Sequence, residues 1–147
     1  MAKGVMMNAV TLEFLLEGKA PAKRGSAPDL VSMIRQGISA KSLETLAKTA
    51  RLSNAELGDA LGIPQRTLAR RKNQGTLTAE ESAKVVRLAR CISRASEVFE
   101  DLDSAIDWLK HANRALGGVT PLSLLDTDVG MEAVSDLLGR IEHGVFS

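Results

Sequence analysis

Apolar residues recur at intervals of three and four along most of the 147-residue chain, which is the spacing of the buried face of an α-helix. A first helix is expected from Pro28, with an apolar stripe that Gly37 ends, and a second from about Ser42 to Arg51. We find no convincing alternation of apolar and polar residues with a period of two, which would mark a strand. The pattern therefore predicts an all-α fold.

Three longer segments in the second half of the chain follow the same helical pattern. The capping box formed by Thr78 and Glu81 opens a helix that continues to about Glu100. Another helix is expected over residues 104–115, and the last over residues 128–142. Residues 1–27 show no sustained periodicity and predict a flexible N-terminal arm.

The segment SNAELGDALGIPQRTLARRKNQG contains two short helices joined by a turn. Ser53, with Glu56 three residues later, is a capping box and predicts a helix over residues 54–61. Gly62 can adopt the left-handed conformation that ends this helix, and Pro64 suits the start of a second one over residues 65–72. Two short helices joined by a glycine-containing turn form a helix-turn-helix.

The second of these helices has the side chains that a DNA recognition helix requires. Polar residues near its N-terminus can reach base edges in the major groove, while neighbouring cations hold phosphates. We expect Arg71 and Lys72, which lie further along the helix, to meet the DNA backbone. The alternative is a packing motif whose charged run is solvated. The candidate DNA-binding residues are Gln65, Arg66, Thr67, Arg70, Arg71 and Lys72.

Charge is distributed unevenly along the chain, although the formal net charge is +1. Residues 1–75 contain 12 Lys and Arg against 6 Asp and Glu, whereas residues 76–147 contain 7 against 12. The first half can therefore face a polyanion such as DNA, and the second half cannot easily do so.

The composition excludes several classes of protein. The single cysteine, Cys91, excludes an intrachain disulfide, and two histidines provide no cluster at zinc-ligand spacing. No apolar run is long enough for a membrane span or a convincing signal peptide, so we expect a cytoplasmic protein. The sequence offers no set of base, nucleophile and metal ligands, so we expect neither an enzyme nor a cofactor.

Two residues of the long helix are predicted to have structural roles. Cys91 falls next to the apolar stripe and is expected to be a small core residue rather than a nucleophile. Arg94 is expected to lie in a solvated stripe, paired with acids such as Glu97.

Four segments fall in order along the chain: GIPQRTLARRK, LTAEESAKVVRLARC, AIDWLKHANRALGGVTPLSLLDTDVGMEAV and LLGRIEHGV. Together they resemble the Xre/MbcA/ParS-type antitoxins of RES-Xre type II toxin-antitoxin systems, over roughly residues 30–147. Gly58, Gly62 and Leu68 fit the Xre/Cro helix-turn-helix pattern, although alanine is usual at the position of Gly58. Ala112 stands where the family often has proline.

The resemblance implies an antitoxin with an N-terminal helix-turn-helix and a C-terminal toxin-binding domain. Its partner would be a RES-domain toxin, an enzyme that consumes NAD, whose active site the antitoxin blocks while it represses the shared operon. We accordingly expect a flexible arm over residues 1–27, a DNA-binding region over 28–75, and a helical dimerisation and toxin-binding domain over 76–147.

The C-terminal segment RIEHGVFS is the candidate contact with the toxin. It places apolar side chains beside charged ones at the end of an acidic region, as expected of a protein-binding surface. By analogy with the family, its charged residues and glycine would lie at or near the toxin's substrate pocket. The alternative is a frayed terminus that packs on its own domain. The candidate toxin-binding residues are Arg140, Ile141, Glu142, His143, Gly144, Val145 and Phe146.

Two functions remain open at this point. The first is an antitoxin that binds a RES-domain toxin and operator DNA, as a homodimer, because a single short recognition helix rarely gives adequate affinity. The alternative is a stand-alone dimeric transcriptional regulator, whose C-terminal domain only dimerises or senses a ligand.

Overall fold

The computed structural model describes residues 27–144, and within them the fold is all-α, as predicted. The predicted N-terminal arm lies outside the described residues except for Ala27. Residues 27–144 contain no strand, only isolated bridges between Ser39 and Thr76 and between Asn113 and Val119. The α-helices are α1 (Ala27–Gln36), α2 (Lys41–Thr49), α3 (Asn54–Leu61), α4 (Gln65–Gln74), α5 (Ala79–Phe99), α6 (Leu102–Leu109) and α7 (Asp128–His143), with 3-10 helices at Arg114–Leu116 and Pro121–Leu124.

Most helix ends follow from local capping, as the sequence predicts. The hydroxyl of Ser53 accepts from the backbone N–H of Glu56 at 3.1 Å, and the Glu56 carboxylate accepts from the Ser53 N–H at 2.8 Å. Thr127 caps α7 by accepting from the N–H of Gly130 at 3.0 Å. At the other end of α7, Gly144 adopts a left-handed conformation with φ of 72°. Capping satisfies N–H groups that the first helical turn leaves without partners.

The described residues form two compact units, 27–89 and 90–144. The first unit has an aliphatic core to which each of α2, α3, α4 and α5 contributes. Backbone hydrogen bonds join the segment before α2 to the segment between α4 and α5. The N–H of Ala40 donates to the Gly75 carbonyl at 3.0 Å, and the N–H of Leu77 donates to the Ile38 carbonyl at 2.9 Å. Its most deeply buried side chains include Leu43, Leu46, Leu57, Leu61, Val85 and Leu88.

The second unit packs the later part of α5 with α6, α7 and the two 3-10 helices. The rings of Phe99 and Trp108 pack at its edge, with centroids 5.6 Å apart and planes tilted by 44°. Cys91 is buried, and burial raises the pKa of its thiol to about 12. This confirms Cys91 as a core residue. The buried side chains of this unit include Ile92, Ile106, Leu109, Leu125, Val134, Leu137 and Leu138.

The helix predicted over residues 104–115 is wrong at both ends. It begins two residues earlier because the Asp101 carboxylate accepts from the Ser104 N–H at 2.9 Å and caps the first turn. It ends at Leu109 because the backbone of Asn113 bonds to residues further along the chain. The Asn113 N–H donates to the Val119 carbonyl, and the Asn113 carbonyl accepts from the Gly118 N–H, both at 2.9 Å.

Candidate functional site

The turn between α3 and α4 fixes the start of the candidate recognition helix. Gly62 ends α3 with φ of 70°, and the N–H of Ile63 donates to the Gly58 carbonyl at 3.0 Å. A Cβ at position 58 would lie 2.9 Å from the Ile63 carbonyl oxygen, closer than real contacts allow. Glycine in place of the usual alanine therefore matches an unusually close approach of the turn to α3.

Helix α4 presents polar side chains outward and one leucine inward. Leu68 is buried and anchors the helix in the first unit. Gln65, Arg66 and Arg70 are exposed, and Thr67 is half-buried. The exposed residues lie on the first two turns of α4, where a recognition helix contacts base edges and adjacent phosphates.

Two predicted DNA-binding residues near the end of α4 make contacts within the first unit. The Nε of Arg71 lies 2.7 Å from Oε1 of Glu81, and its Nη1 donates to Oε1 of Gln74 at 2.7 Å. The Nζ of Lys72 donates to Oδ1 of Asn54 at 3.3 Å. The structure thus brings the six candidate residues onto one helix, and the two near the end of that helix, Arg71 and Lys72, bond to other side chains of the first unit.

In the second unit, helix α7 carries the described part of the candidate toxin-binding segment. Gly130 lets the first turn of α7 lie against the backbone of Leu124, with no space for a side chain. Val134, Leu137 and Leu138 are buried and fix the helix on its unit. In the last turn, Arg140, His143 and Gly144 are exposed and Ile141 is half-buried. Val145 and Phe146 lie outside the described residues.

Glu142 is bonded to a second helix of its own unit. Nη1 of Arg94 donates to Oε2 of Glu142 at 3.1 Å, and Nη2 donates to Oε1 at 2.5 Å. The hydrogen bonds from Arg94 hold the pKa of Glu142 below its usual value. The predicted pairing of Arg94 with Glu97 is also present, at 3.8 Å. The bidentate pair links the last turn of α7 to α5, although both side chains remain more than one-third exposed.

The loop between α6 and α7 is organised by residues of the motifs NRALGG and TPLSLLDT. The side chain of Asn113 accepts from the Ala115 N–H at 2.9 Å, and the hydroxyl of Thr120 accepts from the Ser123 N–H at 3.1 Å. Each starts one of the 3-10 helices. These motif residues therefore shape the backbone of the second unit.

The sequence did not reveal the partners of the candidate residues Arg71 and Glu142, which are Glu81 and Arg94. Glu81 was assigned only to the capping box of α5, and Arg94 only to pairing with acids such as Glu97. Glu81 also binds Arg71, and Arg94 also binds Glu142. Opposite charge was the available signal, but the spacings of 10 and 48 residues match no local pattern.

Residues 27–144 contain no group of three or more His, Cys, Asp and Glu side chains arranged to hold a metal ion. None of the helices described over this range is both long enough and apolar enough to cross a membrane.

The fold defines a helix-turn-helix protein with a second, helical domain. Residues 29–90 match the helix-turn-helix domain of Xre-like antitoxins, and residues 94–144 match the C-terminal toxin-binding domain of Xre/MbcA/ParS antitoxins. The chain belongs to the Xre antitoxin family.

Relatives that span most of the chain agree with this assignment. An Antitoxin Xre of Yersinia enterocolitica is 40% identical over 129 residues, which cover 86% of each chain. An Antitoxin Xre of Photorhabdus laumondii is 35% identical over 124 residues, covering 83% of this chain and 84% of the relative. A protein of Sphingobium sp. named Prs ADP-ribosylating antitoxin is 28% identical over 134 residues, covering 84% of each.

Proposed function

We propose that this chain is the antitoxin of a RES-domain toxin that consumes NAD, and that its C-terminal segment inhibits the toxin by covering the active site. The observation that carries this proposal is the match of residues 94–144 to a toxin-binding domain. The exposed Arg140, His143 and Gly144 at the end of α7 support the use of this segment as the contact. Inhibition of this kind requires binding alone and no catalytic group in the antitoxin.

The name of the Sphingobium relative supports a partner that uses NAD, because ADP-ribosyl transfer takes its ADP-ribose from NAD. Charge supports the same partner. Residues 76–147 contain 12 acidic against 7 basic side chains, which complements a site built to bind an anionic dinucleotide.

The helix-turn-helix is proposed to bind operator DNA and repress the chain's own operon, as a homodimer. The exposed Gln65, Arg66 and Arg70 on a helix fixed by a tight turn support this role. A two-fold dimer would present two such helices to the two half-sites of an operator.

The test is NAD consumption by a purified cognate RES-domain toxin, titrated with four forms of this chain. These are the wild type, a truncation that ends at Gly139, Arg140→Glu, and the control Glu132→Lys, which changes another exposed residue of α7. Wild type and control should inhibit equally. Arg140→Glu should need at least about tenfold more protein. In a complex that buries Arg140 against the toxin, losing one partner of a hydrogen-bonded charge pair costs about 2–5 kcal/mol, and the reversed charge adds repulsion.

The fluorescence of Trp108 in the second unit provides the folding control. Truncation at Gly139 removes Glu142 and its bonds to Arg94, so this variant could lose stability as well as contact. If the truncation unfolds the unit, the segment belongs to the core of the domain, and the comparison between Arg140→Glu and Glu132→Lys decides the proposal.

A second outcome would favour the alternative function. If the wild type binds duplex DNA but no form inhibits the toxin, the chain is better described as a stand-alone dimeric transcriptional regulator. The exposed polar residues of α4 support this alternative, because a transcriptional regulator needs only an accessible recognition helix.

A further inference from the structure

Arg71 differs in its surroundings from the other arginines of α4. Arg66 and Arg70 are exposed, whereas the side chain of Arg71 is only 18% exposed. Its Nε binds Glu81 and its Nη1 binds Gln74, both at 2.7 Å. Two donors of this guanidinium are therefore directed at groups of the protein rather than away from it.

Glu81 makes two contacts: it caps the start of α5, and it binds Arg71 of α4. Its Oε1 accepts both from Nε of Arg71 at 2.7 Å and from the Thr78 N–H at 2.9 Å. Burial alone would raise the pKa of Glu81, but hydrogen bonds from Arg71 and Thr78 outweigh it and lower the pKa. One ionised carboxylate thus joins the last turn of α4 to the first turn of α5.

The first turn of α5 is itself fixed within the first unit. The hydroxyl of Ser82 is buried and accepts from the Ile38 N–H at 2.8 Å. The segment that precedes α5 is also held in place: the Leu77 N–H donates to the Ile38 carbonyl at 2.9 Å. The carboxylate of Glu81 is therefore held in a defined position. Its bond to Arg71 fixes the last turn of α4 relative to the start of α5.

We propose that Arg71 is a positioning residue, which sets the direction of the recognition helix through Glu81 and does not bind DNA phosphate. This inference rests on the proposed DNA binding by the helix-turn-helix. It replaces the expectation that Arg71 contacts the DNA backbone. The guanidinium already binds Glu81 through Nε and Gln74 through Nη1, and with only 18% of the side chain exposed a phosphate has little access to it.

The dependence of DNA affinity on salt distinguishes positioning from phosphate contact. Each phosphate neutralised by a cation adds about 0.9 to the slope of log affinity against log salt. Arg70→Ala is expected to lower the slope by about this amount. Arg71→Ala should leave the slope unchanged and weaken binding about tenfold, the equivalent of one misplaced base contact.

Two conservative variants give opposite results under the two roles. Glu81→Gln keeps an oxygen for the Thr78 N–H but removes the charge that holds Arg71. If Arg71 bound phosphate, this change would free it and tighten DNA binding, whereas a positioning role predicts weaker binding. Arg71→Lys would keep a phosphate contact, but lysine cannot reproduce the two-pronged bond to Glu81 and Gln74.

The experiment uses the full chain and a duplex that the wild type selects from a random-sequence pool, with affinity measured by fluorescence anisotropy at several salt concentrations. Circular dichroism confirms that each variant folds. If Arg71→Ala unfolds, Glu81→Gln and Arg71→Lys carry the test.

The expected result is weaker binding by Glu81→Gln and by Arg71→Lys, each with the wild-type slope. Wild-type or tighter binding by Glu81→Gln, or wild-type binding by Arg71→Lys, would overturn the inference. If the wild type selects no duplex, the proposed DNA binding itself fails, which is a distinct result.

Discussion

Replacing Gly130 by alanine should destabilise the second unit, although alanine favours helices. A Cβ at this position would lie 2.7 Å from the carbonyl carbon of Leu124 and 2.9 Å from its Cβ, and closer still to its carbonyl oxygen. Ordinary contacts begin at 3.4 Å. The contact with the carbonyl oxygen is the tightest, so the backbone of either α7 or the preceding 3-10 helix must move by about 1 Å or more, and overpacking of this kind costs about 1–3 kcal/mol.

Gly139 provides the matched control on the same helix. A Cβ there would meet no atom of the described residues within 4 Å. Gly139→Ala should therefore stabilise the unit by up to about 1 kcal/mol, the difference between the helix propensities of glycine and alanine. The two variants add the same methyl group, so the gain in helix propensity cancels and the difference between them, about 1–3 kcal/mol, isolates the clash with Leu124.

Thermal unfolding followed by Trp108 fluorescence measures this difference, because the single tryptophan lies in the second unit. The midpoint of Gly130→Ala should fall by about 10 °C, and that of Gly139→Ala should rise by a few degrees. Equal midpoints for the two variants would refute the close approach of α7 to Leu124.

Three further outcomes are expected. Leu68→Ala should lower the free energy of unfolding by about 2–5 kcal/mol in denaturant titrations followed by circular dichroism, and a loss under about 1 kcal/mol would contradict the burial of Leu68. Below pH 4.5, the ordinary pKa of a glutamate, the stability of the wild type should fall more steeply than that of Glu81→Gln. The reason is that the pKa of Glu81 is lower in the folded protein, so its ionised form stabilises the fold and this contribution is lost as the pH falls through the folded pKa. Parallel pH profiles would contradict this. Ser42→Ala should stabilise the protein by about 1 kcal/mol, because the Ser42 hydroxyl is fully buried and has no hydrogen-bond partner among the described residues. A lower melting temperature for this variant would show that the hydroxyl does have a partner.

Local signals explain why much of the first unit was predictable. A capping box and a left-handed glycine each act over three or four residues, so Ser53 and Gly62 mark both ends of α3 without reference to the rest of the fold. The bounds predicted for α3 from these signals match the structure. Leu68 was also identified as the inward residue of α4, and it is buried.

Long-range bonds explain what sequence analysis could not predict. The apolar spacing around Trp108 suits a helix to residue 115, but the bonds of Asn113 to Val119 and Gly118 end that helix early. Likewise, Arg71 has the sequence context of a DNA contact and Glu81 that of a capping residue. Each local pattern is complete without the other residue, so only the approach of α4 to the start of α5 reveals the pair.

The single cysteine makes the protein its own stability probe. Thiol reagents attack the thiolate, and because burial raises the pKa of the Cys91 thiol to about 12, this thiol is protonated in the folded protein at pH 8. Cys91 is also shielded from reagent, so modification must await an opening of the surrounding helices. The rate of labelling of the unmodified chain would thus report how often this core opens, and its slowing by a bound partner would measure complex formation without an added dye or tag.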